Sequence, residues 1–369
     1  MLKKIYNFLL NFFDRKFIPK TKKKYKYLYR NLNENEIIVS KKIMLIPNAP
    51  KKYQKIIFEN NKIMVSFLPE LGGRIYEFIN KKTGNNELYK NQVWKETPWG
   101  KNNVREGKWK AIGGIELSFP DQEHGGIYDI PFEYKIVEKK NKSKTIKMWK
   151  KPDKLTYGLN FYIEVTLRPN KDYIQITSHI NNPNSKPSKP IQYWINVMLI
   201  PGDIDPRKAK LEFIYPSSVK KIVVHSTGIK NLLSHQEINW PSIYSRYNNW
   251  KNKGAFGFFS KKQVKYQAIY SHKAHEGLVR VFANPQYSKI FGLGKIHYSL
   301  YSNKNKQYIE LWSGITKDFW TYCKILPRKS ITLTEYWYPI IFNKLQEKNL
   351  YQKIEKSIKY KIKNHISNK

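Results

Sequence analysis

Glu310 stands in a sequence setting that is unusual for an acid. It occupies the middle of the segment Tyr308-Ile309-Glu310-Leu311-Trp312. Neighbouring side chains of a strand point to opposite faces, so Ile309 and Leu311 would face away from Glu310. A carboxylate that is buried in this way needs a partner or a raised pKa. The pattern leaves two interpretations open, a member of a structural ion pair or a base in a functional site.

A glycine-rich segment supplies a second acid together with a histidine. Trp109 precedes Gly113-Gly114-Ile115-Glu116, and the loop that follows carries Glu123 and His124. A carboxylate accepts hydrogen bonds and a histidine near its free pKa donates a proton, so this cluster suits a ligand with several hydroxyls. The alternative is a solvated His124 beside a salt-bridged Glu116. No His-x-His or His-x-x-x-His spacing occurs here, so we expect neither a metal nor a cofactor.

Arg74 follows a glycine pair in the segment Leu71-Gly72-Gly73-Arg74-Ile75. Glycines allow the backbone to turn or to approach another group closely. The planar guanidinium has five donors, which suit a polar ligand or a buried carboxylate. A plain β-corner explains the glycines equally well.

These residues lie in a chain whose patterns are those of strands. Short alternating or apolar runs, separated by Pro, Asn and Gly turns, continue from about residue 43 to 342, and the runs at 62–68, 277–282 and 330–338 are among the predicted strands. They contain no fixed-length repeat and almost no long helical period, which predicts an all-β fold with one large antiparallel sandwich. We therefore divide the chain into an N-terminal extension (1–40), a sandwich domain (41–342) and a C-terminal tail (343–369). Apolar residues every four positions from Leu350 predict a helix in that tail.

The composition favours a folded but very basic protein. The 369 residues include 68 Lys and Arg against 28 Asp and Glu, a formal net charge of +40, and 40% are hydrophobic. The lysines are spread along the chain without a nucleic-acid-binding motif, so we expect a solvated surface and no specific nucleic acid partner. One cysteine, Cys323, excludes an intramolecular disulfide. The sequence does not decide the cellular compartment, although it slightly favours the cytoplasm. It does not indicate the oligomeric state.

The first 30 residues combine an amphipathic pattern with basic flanks. Ile5, Phe8, Leu9 and Phe12 follow helical spacing. No run reaches the roughly 18 apolar residues that a membrane span needs. Three interpretations are open: a helix docked on its own domain, weak contact of residues 1–30 with a membrane surface, or an inefficient signal sequence.

Several ordered motifs together resemble a known family. They are Leu68-Pro69-Glu70-Leu71-Gly72-Gly73-Arg74-Ile75, Gly113-Gly114-Ile115-Glu116 with Phe119-Pro120, Tyr193-Trp194-Ile195-Asn196, Tyr308-Ile309-Glu310-Leu311, and Glu335-Tyr336-Trp337-Tyr338-Pro339. In this order they look like the DUF5107 domain, a family related to the galactose mutarotase-like (aldose 1-epimerase) superfamily. The resemblance covers about residues 41–343. It implies a β-supersandwich with a carbohydrate-binding cleft on its concave face.

The resemblance also implies roles for particular residues. Glu310 matches the base that takes the proton of the anomeric hydroxyl, and His124 matches an earlier histidine that helps to hold the sugar. Gln192 stands where the proton-donating histidine is expected, and an amide cannot supply a proton at neutral pH. Tyr193 and His124 are the candidates to take over that role, so His124 is also a candidate catalytic residue. Glu116 is the second candidate catalytic carboxylate, because two carboxylates flank the bond in glycosidases. The candidate substrate-binding residues are Arg74, Trp109, Gln192, Tyr193, Trp194, Asn196 and Trp312.

The resulting hypothesis is a carbohydrate-binding protein whose saccharide or glycan cleft is centred on Glu310. If it is an enzyme, it would be similar to a sugar epimerase or mutarotase, or would cleave a glycan. The alternatives are a non-catalytic glycan-recognition module and a basic protein associated with the cell envelope or a polymer. The tryptophans are compatible with each, because they stack on sugars or fill a core.

Overall fold

The structure is a computed structural model that describes residues 32–97, 107–121, 123–227, 229, 232–250, 255–294, 298–302, 307–342 and 349–361. The predicted amphipathic segment at the N-terminus lies outside these residues. The predicted domain start at residue 41 falls inside a strand, which begins at Ile38.

The described residues form mainly strands, joined by short turns. The strands are β1 (Ile38–Leu45), β2 (Lys52–Glu59), β3 (Ile63–Leu68), β4 (Arg74–Asn80), β5 (Asn85–Asn86), β6 (Ile115–Ser118), β7 (Glu133–Glu138), β8 (Lys144–Lys150), β9 (Asn160–Leu167), β10 (Ile174–Asn181), β11 (Trp194–Leu199), β12 (Leu211–Ile214), β13 (Lys221–Thr227), β14 (Glu237–Asn239), β15 (Phe256–Ser260), β16 (Val264–Ser271), β17 (Glu276–Gly292), β18 (Ile309–Gly314) and β19 (Ser330–Ile341). The helices are α1 (Pro206–Ala209), α2 (Tyr298–Tyr301) and α3 (Leu350–Lys361).

The strands build two antiparallel sheets that share one long strand. The first sheet has the order β1-β2-β3-β4-β6-β11-β18-β17-β15-β13-β14, with β5 beside β4. The second has the order β7-β8-β9-β10-β19-β17-β16-β12. Strand β17 pairs in the second sheet through Glu276–Phe282 and in the first through Tyr287–Gly292. The all-β antiparallel sandwich predicted from the sequence is confirmed.

Alternation along the strands decides which residues fill the space between the sheets. Ile115, Ile195, Leu311 and Ile290, from four neighbouring strands of the first sheet, all belong to the main hydrophobic core. Residues one position away must therefore point to the outer face of that sheet. This outer face carries most of the polar residues selected from the sequence.

The C-terminal tail contains the helix that its spacing predicts. Leu350, Ile354 and Ile358 of α3 are buried against tyrosines of the second sheet, among them Tyr266 and Tyr338. The helix covers one side of the sandwich, so the apolar stripe is explained by packing. Within the part of the chain that the structure describes, no helix is long and apolar enough to cross a membrane.

Two buried glutamates meet where β17 begins. Glu276 accepts hydrogen bonds from Asn80 Nδ2 at 2.5 Å, Thr83 Oγ1 at 2.7 Å and Asn85 Nδ2 at 2.7 Å. Its neighbour Glu87 is fully buried. Burial, and then the nearby Glu276, raises the pKa of Glu87 well above its ordinary value, and burial also raises the pKa of Glu276. Two adjacent carboxyls in a dry site resist ionising together, which favours a proton shared between them.

Glu87→Gln is expected to raise the melting temperature at pH 8 by at least about 2 °C. Both carboxyls have raised pKa values in the folded state, so the folded protein binds more protons than the unfolded chain. Their contribution to stability is therefore lost as the pH rises above the unfolded pKa. Glutamine keeps the hydrogen-bonding shape without the charge. Thermal unfolding followed by circular dichroism between pH 5 and pH 8 measures the effect.

Glu77→Gln provides a control of opposite sign. Glu77 is a buried glutamate bonded to Lys90 at 2.5 Å and Lys55 at 3.2 Å. Burial opposes its ionisation, but the two lysines outweigh burial and lower its pKa to about 2. This carboxylate stabilises the fold above the unfolded pKa, so its replacement should lower the melting temperature at pH 8. A lower melting temperature for Glu87→Gln as well would contradict the shared proton.

Candidate functional site

Four polar or aromatic side chains form a row across the outer face of the first sheet. Asn196 on β11 lies directly opposite Glu116 on β6 and Trp312 on β18. Trp312 in turn lies opposite Lys289 on β17. Directly opposed residues of neighbouring strands point to the same face. The row is therefore continuous in space. Its members are distant in sequence, since Glu116 and Trp312 are 196 residues apart.

Glu310 adjoins this row on the same face, two positions before Trp312. Trp312 Nε1 donates a hydrogen bond to Glu310 Oε2 at 2.9 Å. Burial raises the pKa of Glu310 to about 7, although the nearby His124 and Lys289 favour its ionised form. The Glu310 carboxyl is thus partly protonated and partly ionised at neutral pH, which suits proton transfer.

Glu116 is the centre of a second cluster at one end of the row. Its Oε1 lies 2.5 Å from His124 Nδ1, and its Oε2 accepts from Arg74 Nη2 at 3.0 Å and Trp109 Nε1 at 3.2 Å. Burial opposes ionisation, yet His124 and Arg74 hold the pKa of Glu116 below its ordinary value. The carboxylate therefore fixes the positions of the histidine and the tryptophan around it.

The glycine pair before Glu116 permits this arrangement. Gly113 and Gly114 have φ values of +94° and +76°. A Cβ at Gly114 would lie 2.5 Å from the carbonyl oxygen of Ile75, which no side chain tolerates. The tight approach also directs the Gly113 carbonyl oxygen at Arg74 Nη1, which donates to it at 2.6 Å.

The Glu116 cluster and Glu310 are in contact through aromatic rings. His124 stacks on Trp109 with ring centroids 4.1 Å apart, and its centroid is 5.6 Å from that of Trp312. Trp312 is the residue that donates to Glu310. Glu116, His124, Trp109, Trp312 and Glu310 thus form one contiguous group of side chains.

Two polar side chains beside Glu310 have unused hydrogen-bonding capacity. Both amide atoms of Asn196 and the hydroxyl of Tyr308 are buried and lack a hydrogen-bond partner among the described residues. Burial, and then the charge of Glu310, raises the pKa of Tyr308 well above its ordinary value. Buried polar groups are normally paired, so these atoms indicate a place where a polar ligand would bind.

A pocket of about 560 Å³ lies elsewhere on the molecule, and neither Glu310 nor any residue of the row lines it. Tyr89 and Gln307 are among the residues that line it. Tyr89 also stacks on Tyr308 with ring centroids 4.6 Å apart.

Three residues that the sequence suggested for substrate binding have other contacts. Tyr193 points into the core between the sheets, where its hydroxyl lies 2.6 Å from Ser178 Oγ. Gln192 Nε2 donates to the carbonyl oxygen of Thr321 at 2.8 Å. Gln192 Oε1 accepts from Trp194 Nε1 at 3.2 Å, so these two side chains bind each other. Gln192 and Tyr193 are thus engaged elsewhere. Trp194 points to the outer face and packs in one hydrophobic cluster with Trp312. Arg74, Trp109 and Asn196 lie with Glu116 beside it.

Sequence reasoning missed Lys289, which is as buried as any residue of the row. Its Nζ lies 3.4 Å from Glu123 Oε1. The signal was present in Tyr287-Ser288-Lys289-Ile290-Phe291, because a lysine at an alternating position with aromatics belongs to their face. In a chain with so many lysines, this one was not distinguished from surface residues.

The described residues contain no group of three or more His, Cys, Asp or Glu that could hold a metal ion.

The two-sheet architecture is that of galactose mutarotase-like proteins. A galactose mutarotase-like protein from Clostridium acetobutylicum is 13% identical, with a TM-score of 0.56 over 82% of this chain and 99% of that one. A galactose mutarotase related enzyme from Lactobacillus acidophilus is also 13% identical, with a TM-score of 0.52 over 79% and 98%.

A family model assigns the chain more closely. The model described as domain of unknown function DUF5107 matches residues 46–340, and the chain belongs to that family. A TPR-domain containing protein from Parabacteroides distasonis is 19% identical, with a TM-score of 0.65 over 84% of this chain. The match spans 54% of that longer protein.

Proposed function

We propose that this protein binds a saccharide in a site formed by Glu310, Asn196, Tyr308, Trp312 and the Glu116 cluster. The unpartnered amide of Asn196 and hydroxyl of Tyr308 carry the proposal, because both are buried beside a carboxyl. Sugar hydroxyls both donate and accept hydrogen bonds, so a sugar would satisfy all of these atoms at once. The similarity to galactose mutarotase-like proteins supports the same class of ligand by analogy.

Glu310 is the proposed base of this site. Because its pKa is about 7, a large fraction of Glu310 is ionised at neutral pH. Only the ionised carboxylate can accept the proton of an anomeric hydroxyl. The Glu116 cluster would hold the sugar rather than react with it. The reason is that His124, Arg74 and Trp109 are already bonded to Glu116.

A non-catalytic sugar-recognition module is the second candidate. The observation that favours it is the amide at Gln192, which cannot donate a proton and is bonded to Thr321 and Trp194. Such a module would bind a sugar but would not convert it.

Asn196→Leu tests the binding site. Titration calorimetry and saturation-transfer NMR with D-glucose, D-galactose and N-acetyl-D-glucosamine should detect a ligand for the natural protein. The substitution should weaken that affinity at least about tenfold, because it removes two hydrogen-bonding atoms that only a ligand fills. Stability should not fall, since a buried unpaired amide is replaced by an apolar group of similar size.

Gln286→Leu is the matched control. Gln286 is another buried amide with both atoms unpartnered among the described residues. It lies three positions before Lys289, so it points to the opposite face of β17. Its replacement should leave the affinity unchanged. Equal affinities of the natural protein and Asn196→Leu would refute this site, and no binding of any panel sugar would refute the assignment to free aldoses.

A further inference from the structure

Lys289 is a fully buried ammonium group in the proposed sugar site. Its Nζ lies 3.8 Å from the ring centroid of Phe319, 4.5 Å from that of Phe291 and 5.1 Å from that of Trp312. These rings stabilise a cation but accept no ordinary hydrogen bond. Within the ranges that the structure describes, the polar contact of Nζ is the one with Glu123 at 3.4 Å. An ammonium has three donors, so two remain for a ligand.

Lys289 and Glu310 approach the same indole from different sides. Glu310 Oε2 accepts from the indole nitrogen of Trp312, while Lys289 Nζ lies over the ring of Trp312. The two groups come from neighbouring strands and lie one diagonal step apart in register, because Lys289 is opposite Trp312 and Phe291 is opposite Glu310. A carboxyl group and an ammonium therefore contact the same indole from neighbouring strands.

Opening of an aldose ring needs both an acceptor and a donor of protons. The base takes the proton of the anomeric hydroxyl, and its O–H electron pair forms the C1 carbonyl. The bond from C1 to the ring oxygen breaks, and the ring oxygen receives a proton from the acid. Rotation about C1–C2 and the reverse steps give the other anomer and restore both groups, so no further reactant is consumed.

We propose that Lys289 is the acid that protonates the ring oxygen while Glu310 accepts the anomeric proton. This inference rests on the proposed saccharide function and extends it to an anomer-exchanging enzyme for free aldoses. Gln192 cannot supply the proton, whereas an ammonium can. Burial lowers the pKa of Lys289 towards the range of useful acids, against the opposing effect of Glu123 and Glu310. His225 of β13 is near enough to this ammonium that the charge of Lys289 helps to lower the pKa of the histidine.

Lys289→Met removes the proton and the charge but keeps a flexible apolar side chain of similar length. Anomer exchange of D-glucose and D-galactose, followed by NMR magnetisation transfer, should slow by about a hundredfold. Affinity in titration calorimetry should change by less than about threefold, because the contacts to Asn196 and Tyr308 persist. The alkaline limb of the rate profile should disappear, since it reports loss of the proton from Lys289. The acidic limb, set by Glu310, should stay.

Lys147→Met is the matched control. Lys147 also lies over an aromatic ring, with Nζ 3.7 Å from the centroid of Tyr162, but on β8 of the second sheet. Its replacement should change neither the rate nor the pH profile.

Glu123→Gln provides an independent test if Lys289→Met fails to fold. The Glu123 carboxylate favours the charged ammonium, so its loss should lower the pKa of Lys289 and move the alkaline limb to lower pH. An unmoved limb would contradict the role of Lys289.

The outcomes separate the two proposals. A natural protein that binds none of these sugars refutes the assignment to free aldoses, and the acid with it. A natural protein that exchanges anomers, with Lys289→Met active within about threefold, overturns the acid alone. Loss of affinity by the same factor as the rate in Lys289→Met would make the lysine a binding group and also overturn the acid.

Discussion

Glu310→Gln is expected to slow anomer exchange by about a thousandfold while sugar affinity changes by less than about threefold. General-base catalysis contributes factors of this order, and an amide cannot accept the anomeric proton. The amide keeps an oxygen that can accept from Trp312 Nε1, so the indole should stay in place. Magnetisation-transfer NMR measures the rate, and titration calorimetry measures the affinity.

The same substitution should stabilise the protein at pH 8. The pKa of Glu310 rises from 4.5 to about 7 on folding, so the folded state binds a proton more tightly than the unfolded chain. Stability is therefore lost as the pH rises from about 4.5 through 7, by about 3 kcal/mol for this group. Glutamine does not titrate, so the melting temperature of Glu310→Gln should exceed that of the natural protein at pH 8 and approach it at pH 5.

These measurements separate three roles for Glu310: a base, a group that only binds sugar, and a member of a structural ion pair. A base loses rate, keeps affinity and gains stability on substitution. A group that only binds sugar loses about 1 to 3 kcal/mol of affinity, and neither protein shows turnover. A member of a structural ion pair loses stability at pH 8. The geometry speaks against the last role, since the hydrogen bond to Glu310 comes from a neutral indole. A lower melting temperature of Glu310→Gln at pH 8 would instead support the ion-pair role.

The fold was predictable because most strands are short segments with clear alternation and turns at both ends. The predicted strand at 62–68 became β3, and the one at 330–338 became the first part of β19. The long strand β17 was seen only as its first part, at 277–282. Its continuation through Ala283, Asn284 and Pro285 was hidden, because three exposed residues with a proline look like a turn in sequence.

The candidate site was predictable only in part, because it is assembled by pairing between distant strands. Motifs with glycine pairs identified Arg74 and Glu116, whose bond the structure shows directly. The direction of Tyr193 was missed, although it follows from alternation once β11 begins at Trp194 and Ile195 is known to be in the core. The approach of Lys289 and Glu310 to the same indole depends on the register of β17 against β18, which no local pattern contains.

Arg74→Met should lower the free energy of unfolding by about 3 to 5 kcal/mol, which is the usual loss when one partner of a buried ion pair is removed. Arg74 and Glu116 are both fully buried and bonded at 3.0 Å. Arg74 Nη1 also donates to the Gly113 carbonyl oxygen, which would lose its charged partner. Urea unfolding at pH 7 measures the change. Lys51→Met is the control, because its pair with Glu70 is exposed and should contribute less than about 1 kcal/mol.

The double substitution Arg74→Met with Glu116→Gln decides whether the loss comes from an uncompensated charge. With both charges removed, most of the stability should return, because the cost of the single variant is that of a carboxylate left in a dry site. His124 and Trp109 would still have a hydrogen-bonding side chain between them, but one without the charge that holds the histidine. Sugar affinity should therefore be lower in the double variant than in the natural protein, although stability recovers. Recovery of both would mean that the ion pair serves the fold alone, whereas recovery of neither would show that Arg74 acts through its bond to the glycine turn.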